Sequence, residues 1–189
     1  KYAKIIKDHL IDIKEDGTFN LDVSFFKYHR GFRMTARKFH KLFGAPPRKA
    51  ESELSQFHMD LAASIQIVTE EIVIKLAKTI RKETGLKKLC LAGGVALNCV
   101  ANGKLIKENI FEDVWIQPAS GDAGSSLGAA LVGWHMHHKK KRIINPNDSM
   151  KGTFLGPEFT NSEIIRYLKE INASYITLDD TKLFEQIAE

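Results

Sequence analysis

Between Lys1 and Leu10 the apolar residues Tyr2, Ile5, Ile6 and Leu10 recur at three- and four-residue steps, which predicts one face of a helix. DIKEDGTFNLDVSFF then reads as extended chain about an Asp16-Gly17 turn, either a hairpin or the approach to one. Thr35 is a candidate N-cap for a short helix, ARKFHKLF, which Gly44 ends and the Pro46-Pro47 pair cannot continue. The charged stretch from Arg48 to Glu53 follows as an exposed loop. The longest pattern starts near Ser55 and stops at Gly85, with Phe57, Leu61, Ile65, Val68, Ile72, Leu76 and Ile80 on one stripe. Ala62, Ala63 and Ser64 interrupt it with small residues, where a second helix or a ligand can approach closely.

Two similar units come next. LKKLCLAGG is a short apolar strand ending in paired glycines, and Val95 to Ile106 has helical spacing. FEDVWIQPASGD is a second strand, stopped by Pro118, ahead of a small-residue helix from Ala123 to His138. Strand, tight turn and helix, repeated, predict an α/β fold with both loops at one sheet edge. After His138 the chain turns polar through KKKRIINPNDSMKG, read as a linker over 139–152. Beyond it, Thr160 and Glu163 make a capping-box pattern at a helix start, and YITLDDTKLFEQIAE reads as a strand and the opening of another helix.

Composition narrows the possibilities. The 189 residues are 43% hydrophobic and 27% charged, ordinary for a globular protein. No run reaches the roughly 18 apolar residues that would span a bilayer. No secretory signal opens the chain, so a cytoplasmic location without membrane contact is expected. The net charge of +5 is concentrated in HHKKKR, His137 to Arg142. Cations there suit the end of a helix dipole, and the absence of basic residues spread among aromatics argues against nucleic acid. Cys90 and Cys99 fit neither a disulfide framework nor a zinc spacing and are expected to be reduced packing residues. His135 and His138 stand at a possible ligand spacing, but at the far end of their helix from the glycine turns. The chain opens within a helical pattern and closes in one, so an internal piece of a longer protein is expected.

The chemistry-bearing residues lie in the two turns. Gly93 and Gly94, between strand and helix, let backbone N–H groups reach an anion beside a helix N-terminus. A plain tight turn has the same sequence. Asn98 offers an amide for a ribose or phosphate oxygen. In the second turn Ser120, Gly121, Ala123 and Gly124 are small, with Gly124 and Ser125 nearest any ligand, and Asp122 either caps the helix or ligates a divalent metal bridging to phosphate. Close packing is expected to account for most of the remaining small residues of that helix. No catalytic side chain is assigned.

LAGGVALNCVANGKL and FEDVWIQPASGDAGSSLGAAL, with GAPPRKAESELSQFHMDLAASIQ before and GTFLGPEFTNSEI after, closely resemble the O-carbamoyltransferases of the nodulation and antibiotic-tailoring type. The resemblance runs over essentially the whole chain. It implies an actin- and sugar-kinase-like (ribonuclease H-like) ATPase fold, in the variant of the threonylcarbamoyl transferases. On that reading residues 1–138 are the C-terminal part of the nucleotide- and metal-binding domain, and 153–189 open a carbamoyl-activating domain. It also implies carbamoyl phosphate and ATP as substrates, a carbamoyl-adenylate, and transfer to a hydroxyl of a sugar or natural product. Gly93, Gly94, Val95 and Asn98, with Gly121, Gly124 and Ser125, would hold the nucleotide, and Asp122 would bind a divalent metal, iron. The family's histidine ligands and its arginine- and glycine-rich catalytic motif fall outside these residues, so the piece alone is expected to be inactive. A tRNA threonylcarbamoyl transferase-like protein and a non-catalytic nucleotide-binding scaffold are the alternatives. Acceptor and oligomeric state are not legible.

Overall fold

The computed structural model describes residues 1–147, 150 and 153–188. The chain divides into two units, 1–142 and 143–189.

In the first unit the N-terminal pattern forms α1 (Ala3–His9), with Ile6 and Leu10 buried on its inner face. The hairpin reading holds: β1 (Ile11–Ile13) and β2 (Phe19–Leu21) pair antiparallel, Ile11 opposite Leu21. Asp16 Oδ1 accepts from the backbone N–H and the hydroxyl of Thr18, and Gly17 takes a positive φ of 88°. A Cβ on Gly17 would lie 2.5 Å from the backbone nitrogen of Leu76, so this turn needs glycine both for its conformation and for its contact with the long helix.

α2 (Arg37–Phe43) ends at Gly44 in the left-handed conformation, as expected. Its N-cap is Ala36, not Thr35, and has no side-chain cap bond. The Thr35 hydroxyl is instead paired with His40 Nε2 at 2.8 Å, an alternative that competes with capping.

α3 (Gln56–Thr84) runs between Ser55, which forms a reciprocal cap with His58, and Gly85 at φ 67°. It serves two cores. Val68 and Ile72 join Ile6, Leu10, Phe25 and Phe43 in one. Ile74 and Ala77 pack with Leu89 and Leu105 in the other. The single stripe was therefore incomplete, since Ile65 and Ile80 are exposed and the second face is carried by Ile74 and Ala77. Of the small residues, only Ser64 is buried, where it accepts the Tyr2 backbone N–H at 2.9 Å and donates to the Asp60 carbonyl at 2.6 Å.

β3 (Lys88–Leu91), α4 (Cys99–Lys107) and β4 (Asp113–Ile116) form a βαβ unit, the strands parallel with Leu89 opposite Val114. The helical reading of 95–106 is corrected at its start. Gly94–Leu97 is a 3-10 turn, and Asn98 breaks the pattern by capping α4 through the Ala101 N–H at 3.0 Å. α5 (Asp122–Val132) continues into a π-helical turn at Gly133–His137, where His135 Nδ1 meets the Lys140 carbonyl. The close packing expected of its small residues is not found, because no residue of α5 is buried and a Cβ on Gly128 would meet nothing within 4 Å. Cys90 and Cys99 are free but exposed, so neither is a packing residue here.

In the second unit α6 (Asn161–Glu170) begins with the expected box: Glu163 accepts from Thr160 N at 2.7 Å and donates its own N–H to the Thr160 hydroxyl. α7 (Asp180–Ala188) follows. The strand expected from YITL does not form, as 173–179 finds no strand partner among the described residues. Of the linker read over 139–152, positions 148, 149, 151 and 152 lie outside the described residues.

Candidate functional site

β3 and β4 are parallel and adjacent, so the turns at their C-terminal ends emerge side by side. The ladder extends past the strands through Gln117 N–H to the Leu91 carbonyl at 3.0 Å. One step further the turns themselves join: Gly93 N–H donates to the Ser120 carbonyl at 2.8 Å. The expectation that the two glycine-rich loops share one edge is met.

Gly93 has φ 100° and ψ 159°, a conformation that L side chains rarely adopt. Cβ atoms built on Gly93 or Gly94 meet nothing within 4 Å, and Gly93, Gly94 and Val95 are exposed. The first turn is thus an open shelf of backbone. It is fixed from below by the buried Asn102, whose amide donates to the Ala96 carbonyl at 2.7 Å.

The second turn starts α5. Its N-cap, Gly121, offers no side-chain cap, and Asp122 is the first helical residue with its carboxylate exposed and unpaired among the described residues. Of the two sequence readings of Asp122, capping is not the one adopted. Gly124 is glycine for a local reason, because a Cβ there would collide with the Ala119 carbonyl oxygen. Ser125 lies on the same first turn and is exposed.

The sequence reading gave no site role to two residues. Ser120 is 6% exposed, yet its hydroxyl has no hydrogen-bond partner among the described residues. A buried orphan hydroxyl costs about 1–3 kcal/mol unless something completes it. Its own carbonyl accepts from Gly93, so it stands at the seam of the turns. Gln66 of α3 is the other. It exchanges two hydrogen bonds with Asn98, Nε2 donating to Oδ1 at 3.1 Å and Nδ2 donating to Oε1 at 2.9 Å. Gln66 Nε2 also donates to Glu70 at 2.9 Å, and Lys104 pairs with Glu70 at 3.3 Å. The Gln66 hydrogen bond first, then Lys104, holds the Glu70 carboxyl below its ordinary value. A glutamine set between Ile65 and Ile67 was the available clue to this polar contact.

No three His, Cys, Asp or Glu side chains come together as a metal site among the described residues.

Residues 1–131 match the carbamoyltransferase N-terminus family. The chain belongs to that family. It is 52% identical over its full length to the uncharacterized protein sll1178 of Synechocystis sp., covering 31% of that protein. To the nodulation protein NolO of Bradyrhizobium diazoefficiens it is 39% identical over 67% of the chain and 22% of the relative. An uncharacterized protein of Methanocaldococcus jannaschii, MJ1058, is 33% identical over 59% of the chain and 18% of the relative. The chain therefore spans about a third or less of the length of these relatives. No helix among the described residues is long and apolar enough to cross a membrane.

Proposed function

We propose that this chain supplies the nucleotide-binding half-site of an ATP-dependent O-carbamoyltransferase. The observation that carries the reading is the joined pair of turns: an open glycine shelf bonded to an uncapped helix N-terminus with an orphan serine hydroxyl at the seam. Free N–H groups at a helix start favour an anion, and a glycine shelf lets it reach the backbone. Family membership supplies the reaction class.

On this reading Gly93, Gly94 and Val95 face the adenylate phosphate, with Gly121 and Ser125 bordering it from α5. Asn98 contributes an amide N–H, and Gly124 shapes the turn. The fold is the actin-like ATPase type, of which the βαβ unit is a piece. The substrates are carbamoyl phosphate and ATP. In the transfer step a hydroxyl oxygen of a small-molecule acceptor attacks the carbamoyl carbon of a carbamoyl-adenylate, the carbamoyl bond to the phosphate oxygen breaks to release AMP, and the hydroxyl proton passes to water. Holding the phosphate of the departing AMP offsets the charge it gains. The enzyme works in the cytoplasm.

The residues present fit a metal only as a partial set, with the exposed Asp122 carboxylate as one ligand. A divalent cation such as iron(II), when bound, would polarise the carbamoyl oxygen and neutralise phosphate charge.

Two results test this. Full-length protein given ATP, radiolabelled carbamoyl phosphate and a panel of hydroxyl acceptors should move label into the acceptor with release of AMP. The 189 residues alone should give no turnover, since convergent groups lost from a site cost many powers of ten. Label transfer by the 189 residues would refute the half-site reading. For the metal, Asp122→Ala should weaken metal-dependent ATP binding in calorimetry, and unchanged affinity would remove Asp122 from the ligand set.

A further inference from the structure

Asn98 has more to do than cap α4. Its Oδ1 accepts the Ala101 N–H at 3.0 Å, which fixes which end of the amide is oxygen. One Nδ2 hydrogen goes to Gln66 Oε1, and the other has no acceptor among the described residues. Capping alone would leave the amide plane free to rotate about the bond to Ala101. The second contact, from Gln66 Nε2 at 3.1 Å, removes that freedom.

Gln66 is itself oriented. Its Nε2 faces the Glu70 carboxylate, which only accepts, so Oε1 must point the other way, to Asn98. Glu70, 12% exposed in its side chain, is held in turn by Lys104 from α4. The order of orientation runs Lys104, Glu70, Gln66, Asn98, and crosses twice between α3 and α4. Such a chain is more than is needed to dock two helices already sharing the core of Ile74, Ala77 and Leu105. Its product is a single amide hydrogen of defined direction, on the residue that ends the glycine turn.

We propose that Gln66 is a positioning residue for nucleotide: it fixes the Asn98 amide so that the remaining Nδ2–H serves as a donor to the nucleotide on the Gly93–Gly94 shelf. This rests on the nucleotide reading of the preceding section. Gln66 touches no ligand and acts only through Asn98.

A double-substitution cycle on the full-length protein tests it, with ATP affinity read by calorimetry and melting temperature measured in parallel. Gln66→Leu keeps bulk and removes the amide. Asn98→Ser keeps a capping oxygen but removes the Nδ2 donor. Each alone should raise the ATP dissociation constant about threefold to tenfold, the size of one net hydrogen bond. Combined, they should cost no more than the larger single effect, because Gln66 has nothing left to orient. Multiplying effects would show that Gln66 merely supports the fold, and would overturn the proposal while leaving the nucleotide site standing. Absence of ATP binding by the unsubstituted protein would defeat the nucleotide reading itself, and this inference with it.

Discussion

Gly124 and Gly128 lie one turn apart on α5 and are glycine under different constraints. At Gly124 a methyl group would collide with the Ala119 carbonyl, so Gly124→Ala should destabilise the chain and shift the second turn. At Gly128 the space is open, and Gly128→Ala should gain up to about 1 kcal/mol of helix propensity. Urea denaturation of both variants checks the contrast, and equal effects would contradict it. Sequence could mark both as small residues but could not tell a tight turn from an open face, because the deciding atom belongs to a neighbour in space. Asn98 carries the same lesson. It was read as a residue inside a helix with a free amide; its place as the cap at the end of a 3-10 turn and its pairing with Gln66, 32 residues away, were not legible.

At the scale of elements, period and punctuation were enough where one element met one neighbour. The α3 boundaries at Ser55 and Gly85, the hairpin about Asp16-Gly17 and the Thr160 capping box all follow from local chemistry. Reading failed where an element served two partners or none. α3 has two buried faces, and a single stripe describes only one; YITL has strand composition but no strand to pair with. Gly17 belongs to this scale because it joins the hairpin to α3. Gly17→Ala adds both a positive-φ strain and a contact with Leu76, so it should cost more than 1 kcal/mol by the same denaturation measurement. The α3–α4 contact also has a pH signature. Glu70 sits below its ordinary value of 4.5 when folded, so its contribution is complete above that value and is lost as pH falls through the lower folded one. Glu70→Gln should therefore flatten the acid limb of a stability-against-pH curve below about pH 4.5, and an unaltered limb would show that Glu70 does not contribute to it.

Over the whole chain, the joining of the two turns was the most legible feature and the one that bears on function. Repeated strand–turn–helix units with parallel strands must deliver their loops to the same edge, and they do, down to the bond between Gly93 and Ser120. Family membership, fixed by residues 1–131, agrees with the motifs in those turns. α5, Trp115 and Trp134 are exposed in a chain that spans about a third of the length of its Synechocystis relative. The decisive measurement is ATP affinity of the full-length protein carrying Gly94→Leu. A Cβ at that position meets nothing within 4 Å and its backbone is not in the left-handed region, so folding should be retained. If the shelf holds the nucleotide, the leucine occupies its place, and ATP affinity should fall at least about tenfold, or about 1.4 kcal/mol, with an unchanged melting temperature. Undiminished ATP affinity in a folded Gly94→Leu protein would contradict the assignment of these turns as the nucleotide site.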